Sequence, residues 1–290
     1  MYYLYIIGRY IVLLLPRSIG YQLAKVISTI RFLIFKKDKD ALYYNLYPVL
    51  KDREKVRKIS KEAVNNFAYY LVDFFRYNKF NQKFIDKYVE VSGLENLDKA
   101  LAKGKGVIAL TAHLGNYELA GAVTALLGYP LSGVALPHKD KRVNEFFNRN
   151  RQRVGMKVIP TGIAVKGCFS ALKKGGILAI LGDKSFSASS RNMEMFSNLA
   201  AIPRGASFFA LKTGAEIIPS FLVRKNKFFY NLIFEKPIQF NKCNECPEKE
   251  ILEQYTKILE KYIQNYPGQW YMFEKYWVEN SVSENKEQTN

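Results

Sequence analysis

Histidine, cysteine and tryptophan are scarce in this chain, whose 290 residues include 2 histidines, 3 cysteines and 2 tryptophans. Cys243 and Cys246 form a Cys-x-x-Cys pair, but without a second pair or a nearby histidine they provide too few ligands for four-coordinate zinc. The odd cysteine count and the lack of a secretory cleavage pattern argue against a disulfide framework and indicate a reducing, cytosol-facing environment. We therefore predict no metal site and interpret the cysteine pair as part of an exposed loop.

Acidic residues are few relative to basic ones, at 26 against 44, which leaves a formal net charge of +18. This surplus favours phosphate-rich partners, anionic membrane surfaces or acidic proteins. Hydrophobic residues make up 48% of the chain, which predicts a folded core and excludes a disordered basic tail. No nucleic-acid-binding motif is recognised and the amino terminus is strongly apolar, so we do not predict a nucleic-acid partner.

The amino-terminal apolar run is shorter than the roughly 20 residues of a bilayer-spanning helix. It reads "MYYLYIIGRYIVLLLP", with Arg9 inside it and Pro16 at its end, and a second apolar stretch carries Lys25 and Arg31. Because long basic side chains can reach lipid headgroups from an apolar helix, we predict that residues 1–35 form a helical membrane anchor, inserted in the membrane or lying at its surface. Buried helices and a signal peptide are the alternatives, although no small-residue cleavage site follows.

The remainder of the chain alternates between helical and strand-like patterns. "REKVRKISKEAVNNFAYYLVDFFRY" has a continuous apolar helical face. Short apolar runs of strand length then alternate with helix-compatible segments that end at glycine, which predicts an α/β fold with a largely parallel sheet flanked by helices over residues 36–279. "FFYNLIFEKPIQF" predicts an added antiparallel strand, and residues 280–290 are predicted to be a disordered tail. The predicted parallel strands lie at 106–111, 131–136, 156–160, 176–182 and 216–223.

Two ionisable residues follow predicted strands directly. His113 comes after "GVIALTA" and Asp183 comes after "GILAILG". Ligand sites of parallel sheets lie at the carboxyl ends of the strands, so this placement predicts an active site. The chain has no Gly-x-Ser-x-Gly motif, which argues against a serine nucleophile. A base that deprotonates a substrate hydroxyl is the remaining interpretation.

Glu118 lies five residues after His113. Within a single helix this separation is a rotation of about 500°, which leaves the two side chains roughly 140° apart. We therefore predict that His113 lies in a loop and that Glu118 folds back towards it from the first helical turn after Gly115 and Asn116. The positive end of that helix is expected to keep the imidazole neutral and able to accept a proton.

The motif "HLGNYE" resembles the signature of the glycerolipid and lipid A acyltransferases, with a histidine and an acidic residue separated by four residues. Its internal Gly-Asn followed by an aromatic residue is more specifically similar to the late acyltransferases of lipid A biosynthesis, the lauroyl and myristoyl transferases. Lys184 stands where that family usually has glutamine, so the resemblance is weaker at that position. Further similar stretches, spread over about residues 5–277, are "NLYPVL", "VNNFAYYLVDFF", "ILAILGDKS", "IPRGASFFALKTGAEIIP" and "YPGQWYMFEKYW".

The resemblance implies a glycerolipid acyltransferase-like domain on a hydrophobic anchor at the inner membrane, facing the cytoplasm. It implies transfer of a fatty acyl chain from acyl carrier protein to a hydroxyl of a phosphorylated glycolipid, the lipid A precursor, without a cofactor. His113 would be the general base and Glu118 its catalytic partner, whereas Asn116 and Asp183 would belong to the substrate-binding part of the site.

The basic stretch "PHKDKRVNEFFNRNRQRVG" follows the second predicted strand. By resemblance, Arg151 is expected to bind a substrate phosphate, with Arg149 as the second candidate, because a guanidinium can donate two hydrogen bonds to phosphate. A solvated basic helix face is the alternative.

Two other functions fit the same residues. The chain could acylate a different glycolipid or a lysophospholipid, such as a phosphatidylinositol mannoside. It could also be a noncatalytic basic protein on an anionic membrane surface, with His113 in a structural role.

Overall fold

The computed structural model describes residues 2–160, 163–184, 189–241 and 244–278. The α-helices are α1 (Tyr2–Leu14), α2 (Arg17–Ile34), α3 (Lys36–Leu50), α4 (Arg53–Phe75), α5 (Gln82–Tyr88), α6 (Leu94–Leu101), α7 (Tyr117–Leu126), α8 (Lys141–Arg153), α9 (Ala164–Lys173), α10 (Gly205–Thr213) and α11 (Pro247–Asn265). The strands are β1 (Val89–Ser92), β2 (Val107–Thr111), β3 (Leu131–Ala135), β4 (Lys157–Pro160), β5 (Ile177–Leu181), β6 (Ser190–Met195), β7 (Asn198–Pro203), β8 (Glu216–Arg224) and β9 (Tyr230–Phe234).

A seven-stranded sheet with the order β1-β9-β8-β2-β5-β3-β4 forms the centre of the fold. Its strand pairs are parallel, apart from the antiparallel pair β8–β9. The prediction of a largely parallel sheet with one added antiparallel strand is therefore confirmed. The sequence allowed this prediction because buried apolar runs are typical of strands covered on both faces. β1 and the separate β6–β7 hairpin were not predicted, since β1 is only four residues long and β6 reads "SRNMEM".

Helices cover both faces of the sheet, and the side chains of β2 show how. Val107 and Ala109 pack into one apolar cluster, together with residues of α4, α7 and α8. Ile108 and Leu110 pack into a second cluster, together with residues of α9, α10 and α11. Successive strand side chains point to opposite faces, so β2 is buried on both sides between two helical layers.

The predicted amino-terminal anchor forms two helices, α1 of 13 residues and α2 of 18 residues. They are separated at Pro16, which precedes the first residue of α2. Of the helices in the described ranges, none combines the length and apolarity needed to cross a membrane. A spanning anchor is therefore not supported. The boundaries drawn at residues 35 and 279 remain predictions, and the tail at 280–290 lies outside the described residues.

Candidate active site

His113 and Asp183 follow two neighbouring parallel strands. β2 and β5 pair with Thr111 opposite Leu181, and each ionisable residue stands two positions beyond its strand. The N–H of Gly182 donates to the carbonyl oxygen of Thr111 over 2.7 Å, which continues the pairing past the strand ends. The sheet register therefore brings the imidazole and the carboxylate together at the carboxyl edge of the sheet.

Asp183 holds both the backbone and the ring of His113. The His113 N–H donates to Oδ2 of Asp183 over 2.9 Å, and the ring Nδ1 lies 2.8 Å from Oδ1. The indole N–H of Trp270 donates to Oδ2 over 3.4 Å. Because an ionised carboxylate only accepts hydrogen bonds, Nδ1 carries the proton of the neutral ring and Nε2 carries its lone pair.

The pKa of His113 is shifted by opposing effects. Burial disfavours the imidazolium ion, but the charge of Asp183 and its hydrogen bond to the ring outweigh burial and raise the pKa of His113 above its ordinary value. The charge of Lys184 acts in the opposite direction. The sequence predicts instead that the positive end of α7 keeps the imidazole neutral. The full charge of Asp183 contacts the ring directly and therefore outweighs the partial charge of the helix terminus.

The turn after His113 depends on Gly115 and Asn116. Gly115 has a φ of +66°, and a Cβ placed there would come within 2.0 Å of the carbonyl oxygen of Leu222. Asn116 precedes α7, and its Oδ1 accepts from the N–H of Leu119 over 3.0 Å. His113 therefore lies in a strand-to-helix loop and Glu118 lies in the first helical turn, as the sequence predicts.

Glu118 does not fold back onto His113 as expected; it pairs with Arg151 of α8. Nε of Arg151 lies 3.0 Å from Oε2 of Glu118, and Nη2 lies 2.6 Å from Oε1. Glu118 points from α7 towards α8, whereas the strand register supplies His113 with Asp183. The carboxylate partner of His113 is therefore Asp183, for which the family resemblance implies a substrate-binding role instead.

The two predicted phosphate-binding arginines lie on different faces of α8. Arg151 is largely buried, with 14% of its side chain exposed, and Nη1 donates to Oδ1 of Asn148 over 3.0 Å. Arg149 is 66% exposed and pairs with Glu145 one helical turn earlier. The structure thus brings Arg151 to the site through Glu118 and leaves Arg149 on the outer surface.

An apolar cleft of about 740 Å³ extends from Glu118, Tyr117 and Arg151 across the face of the sheet. The ring of Tyr117 contacts the His113 ring edge to face, with centroids 5.4 Å apart. Small residues make room for the cleft beneath α7. They are Ala109, Ala120, Gly121, Gly133, Ala135 and Ala179.

Trp270 and Tyr117 were not predicted as site residues. Trp270 is fully buried. The residues on either side of it hydrogen-bond to the loop after β2: the N–H of Tyr271 donates to the carbonyl oxygen of His113, and the carbonyl oxygen of Gln269 accepts from the N–H of Gly115. The stretch "YPGQWYMFEKYW" had signalled this segment, but no local pattern connects it with a histidine more than 150 residues earlier.

Metal coordination has little support among the described residues, where no group of three or more His, Cys, Asp or Glu side chains is arranged to hold an ion. Cys246 lies on the surface, and Cys243 lies outside the described residues.

Comparison with known proteins identifies the family of this chain. Residues 1–279 match the model of the bacterial lipid A biosynthesis acyltransferases. A phosphatidylinositol mannoside acyltransferase of Mycobacterium tuberculosis is 20% identical over 74% of this chain and 69% of its own length. A lipid A biosynthesis acyltransferase of Haemophilus influenzae is 28% identical over 49% of this chain and 45% of its own. A lipid A biosynthesis palmitoleoyltransferase of Escherichia coli is 25% identical over 64% of this chain and 60% of its own length. The chain thus belongs to the bacterial lipid A biosynthesis acyltransferase family.

Proposed function

We propose that the protein transfers a fatty acyl chain from acyl carrier protein to a hydroxyl of a lipid A precursor, with His113 as the general base. The observation that carries this proposal is the contact between His113 and Asp183 beside the apolar cleft. Family membership supports the reaction class.

The reaction begins when the acceptor hydroxyl gives its proton to Nε2 of His113 and its oxygen attacks the thioester carbonyl. The resulting imidazolium ion is stabilised by Asp183, which accepts from the ring at Nδ1. The tetrahedral intermediate then collapses, the carbon–sulfur bond breaks, and the leaving thiolate takes the proton back from His113. Such proton transfer contributes about 10² to 10⁴ in rate.

Asn116, Glu118 and Arg151 are assigned to the substrate side of the site. Asn116 is 2% exposed, its Oδ1 is fixed by the helix cap, and its Nδ2 has no hydrogen-bond partner among the described residues. A buried amide N–H without a partner is costly, so a substrate oxygen is a suitable acceptor for it. Glu118 and Arg151 form an ion pair in the lining of the cleft, and their role is to position the substrate.

The donor, the acceptor and the membrane fit the charge and the surface of the chain. Acyl carrier protein is acidic and the acceptor carries phosphates, and both complement a net charge of +18. The apolar cleft suits a fatty acyl chain. The exposed apolar residues of α1 and α2 suit an interfacial location on the cytoplasmic side of the inner membrane.

A phosphatidylinositol mannoside is the second candidate acceptor, because the mycobacterial relative is similar over the larger share of this chain. Mass spectrometry of lipids from cells lacking the protein separates the two. Loss of one acyl chain from lipid A is expected. A change confined to phosphatidylinositol mannosides or to phospholipids would contradict the proposed acceptor, and an unchanged lipid profile would favour a noncatalytic membrane-surface protein.

The pH dependence of acyl transfer tests the role of Asp183. The base must be neutral to act and its pKa is raised, so activity should fall on the acid side through a pKa above 6.5, the ordinary histidine value. In Asp183→Asn the charge that raises this pKa is gone, and the acid limb of kcat/KM should move to lower pH. The maximal rate should also fall, because the imidazolium ion loses its counter-charge.

Lys184→Gln is the matched control for that experiment. The Lys184 charge lowers the pKa of His113, so its removal should move the acid limb in the opposite direction, to higher pH. Profiles measured with acyl carrier protein thioester as the donor would contradict the assignment if the two variants shifted the limb in the same direction.

A further inference from the structure

A pocket between α1 and the outer face of α8 collects four arginines. Its volume is about 480 Å³, and among the described residues that line it Glu145 is the one carboxylate. Arg142 pairs with Asp140 and Arg149 pairs with Glu145, so the surplus positive charge of the pocket comes from the other two arginines. The arginines are Arg9, Arg142, Arg149 and Arg153.

Helix geometry separates this pocket from the active site. Arg142, Arg149 and Arg153 recur at helical spacing and share one stripe of α8. Arg151 is two positions, or about 200°, from Arg149 and Arg153, and it faces Glu118 instead. The arginine pocket is consequently a second cationic site on the same helix and faces away from the catalytic histidine.

Arg9 shows that the cationic cluster is not satisfied by the protein alone. Its Nε is buried and has no hydrogen-bond partner in the part of the chain that the structure describes. Burial and the nearby positive charge of Arg153 lower the pKa of Arg9. A bound anion would satisfy the donor and screen the repulsion between the two guanidinium groups.

The pocket adjoins an exposed apolar surface of α1. Tyr3, Ile7, Tyr10 and Leu14 form a stripe in which each residue is 55% to 84% exposed. Positions 2, 6 and 9, which line the pocket, form the neighbouring stripe about 100° around the helix. An apolar helix face beside a cationic pocket matches the arrangement of acyl chains and headgroup phosphates at a membrane surface.

We propose that the arginine pocket binds the phosphate of an anionic membrane lipid, with the exposed stripe of α1 in the acyl region of the same leaflet. Guanidinium groups suit this ligand because they donate paired hydrogen bonds to phosphate oxygens. The site is separate from acyl transfer and would orient the enzyme on the membrane, whichever hydroxyl is acylated.

Vesicle flotation of the purified full-length chain tests this site, with phosphatidylcholine vesicles alone or mixed with phosphatidylglycerol. The wild-type chain should bind the mixed vesicles more tightly. In Arg142→Gln/Arg149→Gln, both side chains are more than half exposed, so the fold should tolerate the change. Its binding to the mixed vesicles should weaken by roughly 30-fold. Arg9→Gln/Arg153→Gln should show the same loss from the interior of the pocket.

Lys173→Gln/Lys174→Gln is the matched control. It removes the same charge just before β5, at the edge of the sheet opposite the active site, and should weaken vesicle binding by no more than about threefold. Equal losses in pocket and control variants would overturn the proposal, as would wild-type binding that does not depend on phosphatidylglycerol. Intact vesicle binding with a raised KM for the acceptor would also overturn it, because the pocket would then hold the acceptor's phosphate.

Discussion

His113→Ala should lower the turnover of acyl transfer by about 10² to 10⁴, the range that a positioned general base supplies. Alanine leaves no group at the end of β2 to take the hydroxyl proton, and Asp183 cannot replace it, because its carboxylate is fully buried behind the position of the ring. The KM for the acceptor should change little, because the proton moves in the transition state. Turnover with acyl carrier protein thioester and phosphorylated glycolipid gives both constants.

The second histidine supplies a matched control for this experiment. His138 lies in the loop between β3 and α8, and its ring packs against that of Phe147, with centroids 4.6 Å apart. His138→Ala removes the same side chain from outside the His113–Asp183 contact and should keep turnover near that of the wild type. Vesicle binding should be unchanged in both variants. Wild-type turnover in His113→Ala would rule out the proposed base.

The sequence predicted the position of His113 but not its partner. Buried apolar runs and helices that end at glycine are local patterns, so the sequence alone predicts the strands and the positions of His113 and Asp183 at their ends. The contact between these two joins residues 70 positions apart and depends on strand register. Local spacing favoured Glu118, whose actual partner, Arg151, is 33 positions away on another helix.

The same limit applies to the amino-terminal helices. Their apolar character is evident in the sequence, but the side of α2 that faces the core is set by α4 and β9. Tyr21 is fully buried, and its hydroxyl donates to Oδ1 of Asp73 over 2.7 Å. Tyr230 of β9 donates to the same carboxylate. No period or motif in the sequence links these three residues, which are far apart along the chain.

Asp73 is the centre of a buried ionic cluster, and Asp73→Ala should destabilise the fold by about 3 to 5 kcal/mol. Its carboxylate is fully buried and pairs with Arg17 over 3.0 Å and with Arg224 over 3.4 Å. The arginine side chains are only 11% and 9% exposed. Without Asp73, two guanidinium groups and the hydroxyls of Tyr21 and Tyr230 would lose their shared acceptor in a site that water reaches poorly.

The comparison with an exposed ion pair isolates this effect. Glu90 pairs with Lys225 over 2.6 Å, with both side chains more than half exposed, so Glu90→Ala should cost no more than about 1 kcal/mol. Urea unfolding followed by circular dichroism gives both free energies of unfolding. Because Arg17 begins α2 and Asp73 lies near the end of α4, limited proteolysis of Asp73→Ala should cut first around α1 and α2. Equal stability of the two variants would show that the cluster is not what holds these helices to the sheet.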